Sequence, residues 1–229
     1  YLDMFYRLGI AGRALQKMGA VDFATTIAPG MRDVLLTGKV KESVTRILDG
    51  RRVYDAVVLD APPTGRITQF LQVTSEVAGL AKVGPIHRQS LGVMDLLHSD
   101  LTRVHIVTLP EEMPVQETLD AAAELGAAGY RLGRLLVNRT RPALVAAGRP
   151  DPALLAQGLT VAGLDPALAP SLADEVRGYG QRQDVQARAM ADLEQAGVPI
   201  VRLPELPPPL DLGSLFELAE ALDVRTWSA

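Results

Sequence analysis

Four short apolar runs constrain this chain more than any other feature. They are Tyr54–Leu59 (YDAVVL), Val104–Leu109 (VHIVTL), Leu132–Asn138 (LGRLLVN) and Val198–Leu203 (VPIVRL). Each is rich in Val, Ile or Leu and too short for an ordinary helix, so each reads as a strand. Their hydrophobicity is near-continuous rather than alternating, which suggests strands covered on both faces, as in parallel sheets. Helical spacing appears between them. Val115, Leu119, Ala122 and Leu125 share one face of a helix over Val115–Leu125, with Pro114 at its start and Gly126 and Gly129 after it. Leu172, Val176, Val185, Ala189 and Leu193 mark a longer amphipathic helix ending at Gly197, and Gly213–Leu222 forms a short closing one. Strands alternating with helices predict an α/β fold, a parallel sheet with helices on both faces.

Two spans, 70–101 and 142–195, are long for simple crossovers and are expected to be helical insertions flanking the sheet. The Pro-rich sites Ala61-Pro62-Pro63, Pro150–Pro152 and Pro204–Pro209 read as loops rather than domain linkers. At 229 residues and 48% hydrophobic content there is material for one generous domain or two small ones. Net charge is −4, so no strong attraction to nucleic acid is encoded. No apolar stretch approaches the roughly 18–20 residues that span a bilayer, and no signal-peptide pattern opens the chain. The absence of cysteine rules out disulfides, thiolate zinc sites, iron–sulfur clusters and a cysteine nucleophile, and it fits a cytoplasmic location. The chain starts Tyr1-Leu2-Asp3-Met4, without an initiator methionine, and reads like the interior of a longer protein.

The stretch most informative about chemistry is Tyr54–Arg66, YDAVVLDAPPTGR. An apolar run ends in Asp60 and enters a loop holding Pro62, Pro63, Thr64 and Gly65. In parallel α/β sheets ligands gather at the carboxyl ends of strands. An Asp there can hold Mg²⁺ or its waters beside a nucleotide's phosphates. Gly65 could let the backbone approach a phosphate closely. The competing reading, equally weighted on physics alone, is a strand-terminal Asp that caps the following helix. Three histidines, His87, His98 and His105, are scattered without ligand spacing, which argues against a metal centre built on them.

DAPPTGR resembles the D-[TA]-[AP]-P-[TS]-G-[HR] segment of the arsenite-pump (ArsA) and tail-anchored-protein targeting ATPase family. These are dimeric, deviant P-loop ATPases of the broad class of MinD and nitrogenase iron protein. The resemblance continues in Ala28-Pro29-Gly30-Met31, in Leu109-Pro110-Glu111-Glu112, in Gln116-Glu117-Thr118 and in Val137-Asn138. The wording at Val83–Gln89 (VGPIHRQ) and Glu111–Thr118 (EEMPVQET) is similar to the actinobacterial branch of ArsA-like proteins. Together these pieces cover most of the chain, in order.

The resemblance implies a P-loop NTPase fold of the deviant Walker A class, with ATP and Mg²⁺ as cofactors. Asp60 would match the Walker B-like aspartate that binds Mg²⁺ through water. Pro62, Pro63, Thr64 and Gly65 would match the switch II loop that senses the γ-phosphate. Asn138 would match an adenine-binding asparagine, a role that suits an amide's adjacent donor and acceptor. Pro204 and Leu206 lie in the loop that would cover the adenine, although prolines replace the family's acidic and glycine positions there. Glu111 would match a glutamate reaching the nucleotide of a partner subunit, in a homodimer or a heterodimer with a related ATPase. Blander readings exist for each: Asn138 as a loop cap, Glu111 or Glu112 as acidic residues at a helix start, and Arg139, Arg141 and Arg149 as a solvated loop.

Departures from that family matter equally. Its phosphate-binding loop, G-K-G-G-V-G-K-[ST], and its switch I aspartate occur nowhere in these 229 residues. The expectation is one ATPase domain over 1–229 lacking its N-terminal P-loop and switch I portion, with catalytic residues upstream of residue 1 and no hydrolysis by this segment alone. The missing cysteines exclude the thiolate zinc clasp of the eukaryotic targeting ATPases and the cysteine-lined arsenite site of the pumps. Hydrolysis in the complete protein would move the helical insertions that hold a protein client or partner. Two alternatives stand beside this: a non-catalytic subunit pairing with a P-loop-bearing relative, and a nucleotide-independent interaction module.

Overall fold

A computed structural model describes residues 31–80, 85–144 and 151–222. Ala28-Pro29-Gly30, Val83, Gly84, Arg149 and Pro150, all named above, lie outside the described residues. Element order is α1 (Met31–Thr45), β1 (Ile47–Leu48), β2 (Arg51–Arg52), α2 (Thr64–Leu80), α3 (Pro85–Leu97), β3 (Val104–Thr108), α4 (Glu112–Ala127) and β4 (Leu132–Thr140). It continues with α5 (Pro152–Val161), a 3₁₀ turn (Pro166–Leu168), α6 (Ala169–Glu194), β5 (Ile200–Pro204) and α7 (Leu212–Leu222). The chain divides into two compact units, 1–104 with 123–132 and 105–122 with 133–229.

In the first unit α1, α2 and α3 pack on one another. The reason lies in their spacing. Ile67, Phe70 and Leu71 fall on one face of α2, and Ser90, Val93 and Leu97 on one face of α3; all six are buried. Thr37 of α1 joins them, its hydroxyl satisfied by donating to Asp33 O at 3.0 Å. Between α1 and α2 sits a small antiparallel hairpin, Ile47 against Arg52 and Leu48 against Arg51. Asp49 and Gly50 at its tip take φ +50° and +76°, the conformations a two-residue hairpin turn demands. The Asp-Gly pair was a legible signal for this hairpin, which the apolar runs did not suggest.

The second unit holds a three-stranded parallel sheet of order β3-β4-β5 flanked by helices. Leu135 and Val137 of β4, Ile106 of β3 and Leu203 of β5 are buried, as are Ala173, Ala189, Met190 and Leu193 of α6. Asp151 starts α5 by accepting the Ala153 N–H at 2.9 Å, so Pro152 opens a helix rather than ending a loop. The expected strands at 104–109, 132–138 and 198–203 appear within a residue or two of their bounds. Their coverage differs from expectation: in β3, His105 and Val107 stay exposed, Val107 at 59%.

The fourth expected strand, Tyr54–Leu59, does not form. The segment is irregular, and Val58 is 93% exposed. An apolar run supplies strand propensity, but a strand exists only when a neighbour pairs its backbone N–H and C=O groups. No such pairing is present for 54–59 among the described residues.

Candidate functional site

The first unit carries the DAPPTGR segment. Asp60 is exposed on the irregular stretch ahead of α2. Helix α2 begins at Thr64, so Pro63 rather than Asp60 stands at the position before it, which removes the capping reading of Asp60. The first turn is closed by the Arg66 N–H donating to Pro63 O at 2.9 Å. Thr64 and Gly65 thus sit at the amino end of a helix, where backbone amides and the helix dipole favour an anion. A Cβ added to Gly65 would meet nothing within 4 Å, so internal packing does not require glycine there. No group of three or more His, Asp or Glu side chains able to hold a metal lies among the described residues. A hard cation such as Mg²⁺ keeps most of its waters and needs few protein carboxylates, so the exposed Asp60 fits a water-mediated role.

The second unit brings the remaining sequence-derived residues to the carboxyl end of its sheet. Glu111 is exposed in the turn after β3, where its N–H donates to Leu109 O at 2.9 Å and its carbonyl accepts from Val115 at 3.0 Å. The start of α4 is fixed from below: Thr108 and Thr118, both buried, donate to Pro114 O at 3.1 and 2.8 Å. Asn138, half-buried near the end of β4, accepts the Arg139 N–H on Oδ1 at 2.9 Å. Pro204 ends β5, and Leu206 follows in the loop.

Between those two stands Glu205, which the sequence reading passed over. Its Oε1 accepts Arg139 Nη2 at 2.7 Å and Nε at 3.2 Å, and its Oε2 accepts Arg141 Nε. Its own N–H donates to Thr140 O at 2.9 Å. The Arg141 guanidinium first, then that of Arg139, holds the Glu205 carboxyl down at about 2. The charge of Glu111 also acts on Arg141, which Glu205 chiefly pushes above its ordinary range. Helix α6 secures the chain beyond: Gln186 accepts the Arg141 N–H at 2.8 Å and donates to Arg141 O at 2.9 Å, and Tyr179 donates to Pro142 O at 2.8 Å. Arg139 and Arg141 thus share one carboxylate, with Arg139 still exposed to solvent and Arg141 half-buried. Opposite charges at the ends of two runs, RTR and PEL, were the only hint, and strand pairing alone makes them neighbours.

In open parallel α/β sheets ligands gather outside the carboxyl ends of the strands, and the class of chemistry is indicated by relatives rather than by the fold. No protein-family model matches the chain. It is 50% identical over 233 residues to the ATPase BagA of Mycobacterium tuberculosis strain H37Rv, covering 97% of this chain and 68% of that protein. The same identity and coverage hold for proteins also named as ATPases in M. tuberculosis strain CDC 1551 and in Mycobacterium bovis. The chain belongs to the ATPase family of these relatives. Among the described residues, no helix is long and apolar enough to cross a membrane.

Proposed function

We propose that this chain is the switch II- and base-binding part of an ArsA-like, Mg²⁺-dependent ATPase that works as a homodimer or heterodimer in the cytoplasm. Hydrolysis in the complete protein moves the helical spans 70–101 and 142–195, which hold a protein client or partner. Support comes above all from one combination: half-identity to named ATPases together with convergence of Glu111, Asn138 and the Glu205 loop on one edge of a parallel sheet. Asp60 orients the waters of Mg²⁺, and Pro62 to Gly65 report on the terminal phosphate at the start of α2. Bound Mg²⁺ supplies neutralisation of phosphate charge. Asn138 contacts adenine, Pro204 and Leu206 flank it, and Glu111 reaches the nucleotide of the opposing subunit. No G-K-G-G-V-G-K-[ST] occurs in the 229 residues, so this segment alone does not hydrolyse ATP at a useful rate.

Asp60→Ala in the full-length protein tests this reading. Mg²⁺-dependent ATP turnover is expected to vanish, and near-normal turnover would overturn the role given to Asp60. Asn138→Ala should weaken ATP binding by about 1–2 kcal/mol, the usual cost of a lost partly buried hydrogen-bonding pair. Calorimetric titration reads it, and unchanged affinity removes adenine contact from Asn138.

A further inference from the structure

Helix α6 runs for 26 residues, and its two ends are held by different neighbours. Toward its start, Ala169 and Ala173 are buried where α5 and the 3₁₀ turn pack on it. Toward its end, Ala189, Met190 and Leu193 are buried, and Met190 and Glu194 line one cleft with Ile200 and Arg202 of β5. Between Ala173 and Ala189 no side chain of the helix is buried. What fixes the later half instead is a polar stripe. Tyr179, Gln183 and Gln186 lie at i, i+4 and i+7 on one face, and all three bond the backbone just beyond β4. Tyr179 and Gln183 donate to Pro142 O at 2.8 and 3.1 Å, and Gln186 makes its two bonds to Arg141. Among the described residues, this polar attachment to the sheet's edge begins at Tyr179.

Tyr179 stands between Gly178 and Gly180, both inside the helix. Packing gives no reason for either glycine. A Cβ at Gly180 would meet nothing within 4 Å, and one at Gly178 only the far end of the Arg182 side chain at 3.6 Å, an ordinary contact. Neither takes a positive φ. Alanine would thus fit both places and favour the helix. What the pair does supply is a locally weak stretch, of the kind at which long helices bend. It falls where attachment to the sheet starts. The part beyond it is lightly held: α5 buries Leu159 alone, while Leu154 and Val161 stay exposed, Val161 at 89%. Few buried apolar contacts mark a segment of low local stability.

We propose that Gly178 and Gly180 form a hinge in α6: residues 151–177 swing as one arm, while 179–194 stay fixed to the sheet through Tyr179, Gln183 and Gln186. The inference deepens the proposed function, on which the use of the motion rests. It divides the span 142–195 into a moving arm and an anchored half-helix.

The test is a distance measurement between two spin labels by pulsed electron paramagnetic resonance on the full-length protein. The labels are placed by Gln157→Cys on the exposed side of α5 and Glu217→Cys on α7, which packs on β5. These 229 residues hold no cysteine of their own to compete. The parent should give a broad distance distribution. Adding Gly178→Ala and Gly180→Ala together should narrow it to less than half that width, because two alanines favour the straight helix by about 15–30-fold. Gly158→Ala is the control. It lies in α5, is exposed, and a Cβ there also meets nothing within 4 Å, so it adds helix propensity away from the hinge. The width should stay at the parental value in that variant. A parent as narrow as the double variant, or equal narrowing by Gly158→Ala, overturns the proposal. ATP turnover by the unlabelled parent reads the ATPase assignment separately. If turnover is present and the widths do not differ, the hinge alone falls. If turnover is absent and the widths differ as expected, the hinge stands and its service to ATP hydrolysis falls.

Discussion

Gly133, near the start of β4, offers a test of the sheet itself. A Cβ at this position would lie 2.3 Å from His105 Cε1, 2.6 Å from Nδ1 and 2.8 Å from Nε2, well inside contact distance. The His105 ring cannot leave at no cost, because its Nδ1 accepts the Arg134 N–H at 3.0 Å. Gly133→Ala therefore drives the ring off that bond. The lost hydrogen bond costs about 1 kcal/mol, and a displaced rotamer adds roughly 0.5–1.5 kcal/mol. Against this, alanine reduces unfolded-chain freedom and returns about 0.4–1 kcal/mol. The net expectation is a destabilisation of about 1 kcal/mol, which for a chain of this length lowers the melting temperature by roughly 2–4 °C. Urea unfolding followed by far-ultraviolet circular dichroism measures it, with His105→Ala and the double variant completing a cycle. His105→Ala loses the bond but leaves room for the new methyl, so the double variant should be no less stable than His105→Ala alone. If Gly133→Ala is as stable as the parent, or if the two single effects simply add, the close approach of His105 to Gly133 does not govern this part of the sheet.

Two further outcomes follow from the same structure. Leu135, 1% exposed in the central strand, should lose about 2.7–5 kcal/mol of stability on truncation to alanine, the range for a buried leucine whose site cannot collapse; a loss below 1 kcal/mol in urea titration would mean that β4 is not central to the core. The Glu205 carboxyl, held at about 2 by Arg141 and Arg139, contributes stability in full above the ordinary carboxylate range and loses it as pH falls through about 2. Glu205→Gln should thus flatten the acid dependence of the urea midpoint between about pH 4.5 and 2, where the unfolded carboxyl takes up its proton first; an unchanged profile refutes these ion pairs as a stabilising contact.

Much of the fold was legible because the signals were local. The runs around Ile106, Leu135 and Val201 carry enough Val, Ile and Leu to become strands once neighbours exist, and they did. Helix α6 was equally readable, since Leu193 and Ala189 repeat at helical spacing and Gly197, at φ +65°, follows its end. Tyr54–Leu59 carried the same local signal and remained irregular, because pairing is supplied from outside a segment and not by its composition. For the candidate site, Asn138 and Glu111 are singled out by the resemblance of their segments to the ArsA-like family rather than by residue type or spacing. Glu205 is not singled out, since an acidic residue among prolines has no meaning until β5 is laid beside β4.

By itself the sequence determined the class of this protein: a helix-flanked parallel sheet and, through half-identity to its relatives, an ATPase family. Apolar periodicity and motif order are written residue by residue, so they can be read without coordinates. Tertiary structure alone decided how the sheet's edge is wired. Arg139 and Glu205 lie 66 residues apart, and only the offset pairing of β4 with β5 makes one carboxylate the anchor of two arginines. The physical reason is that charge and hydrogen-bond geometry act over a few ångströms of space, a distance that chain order does not encode.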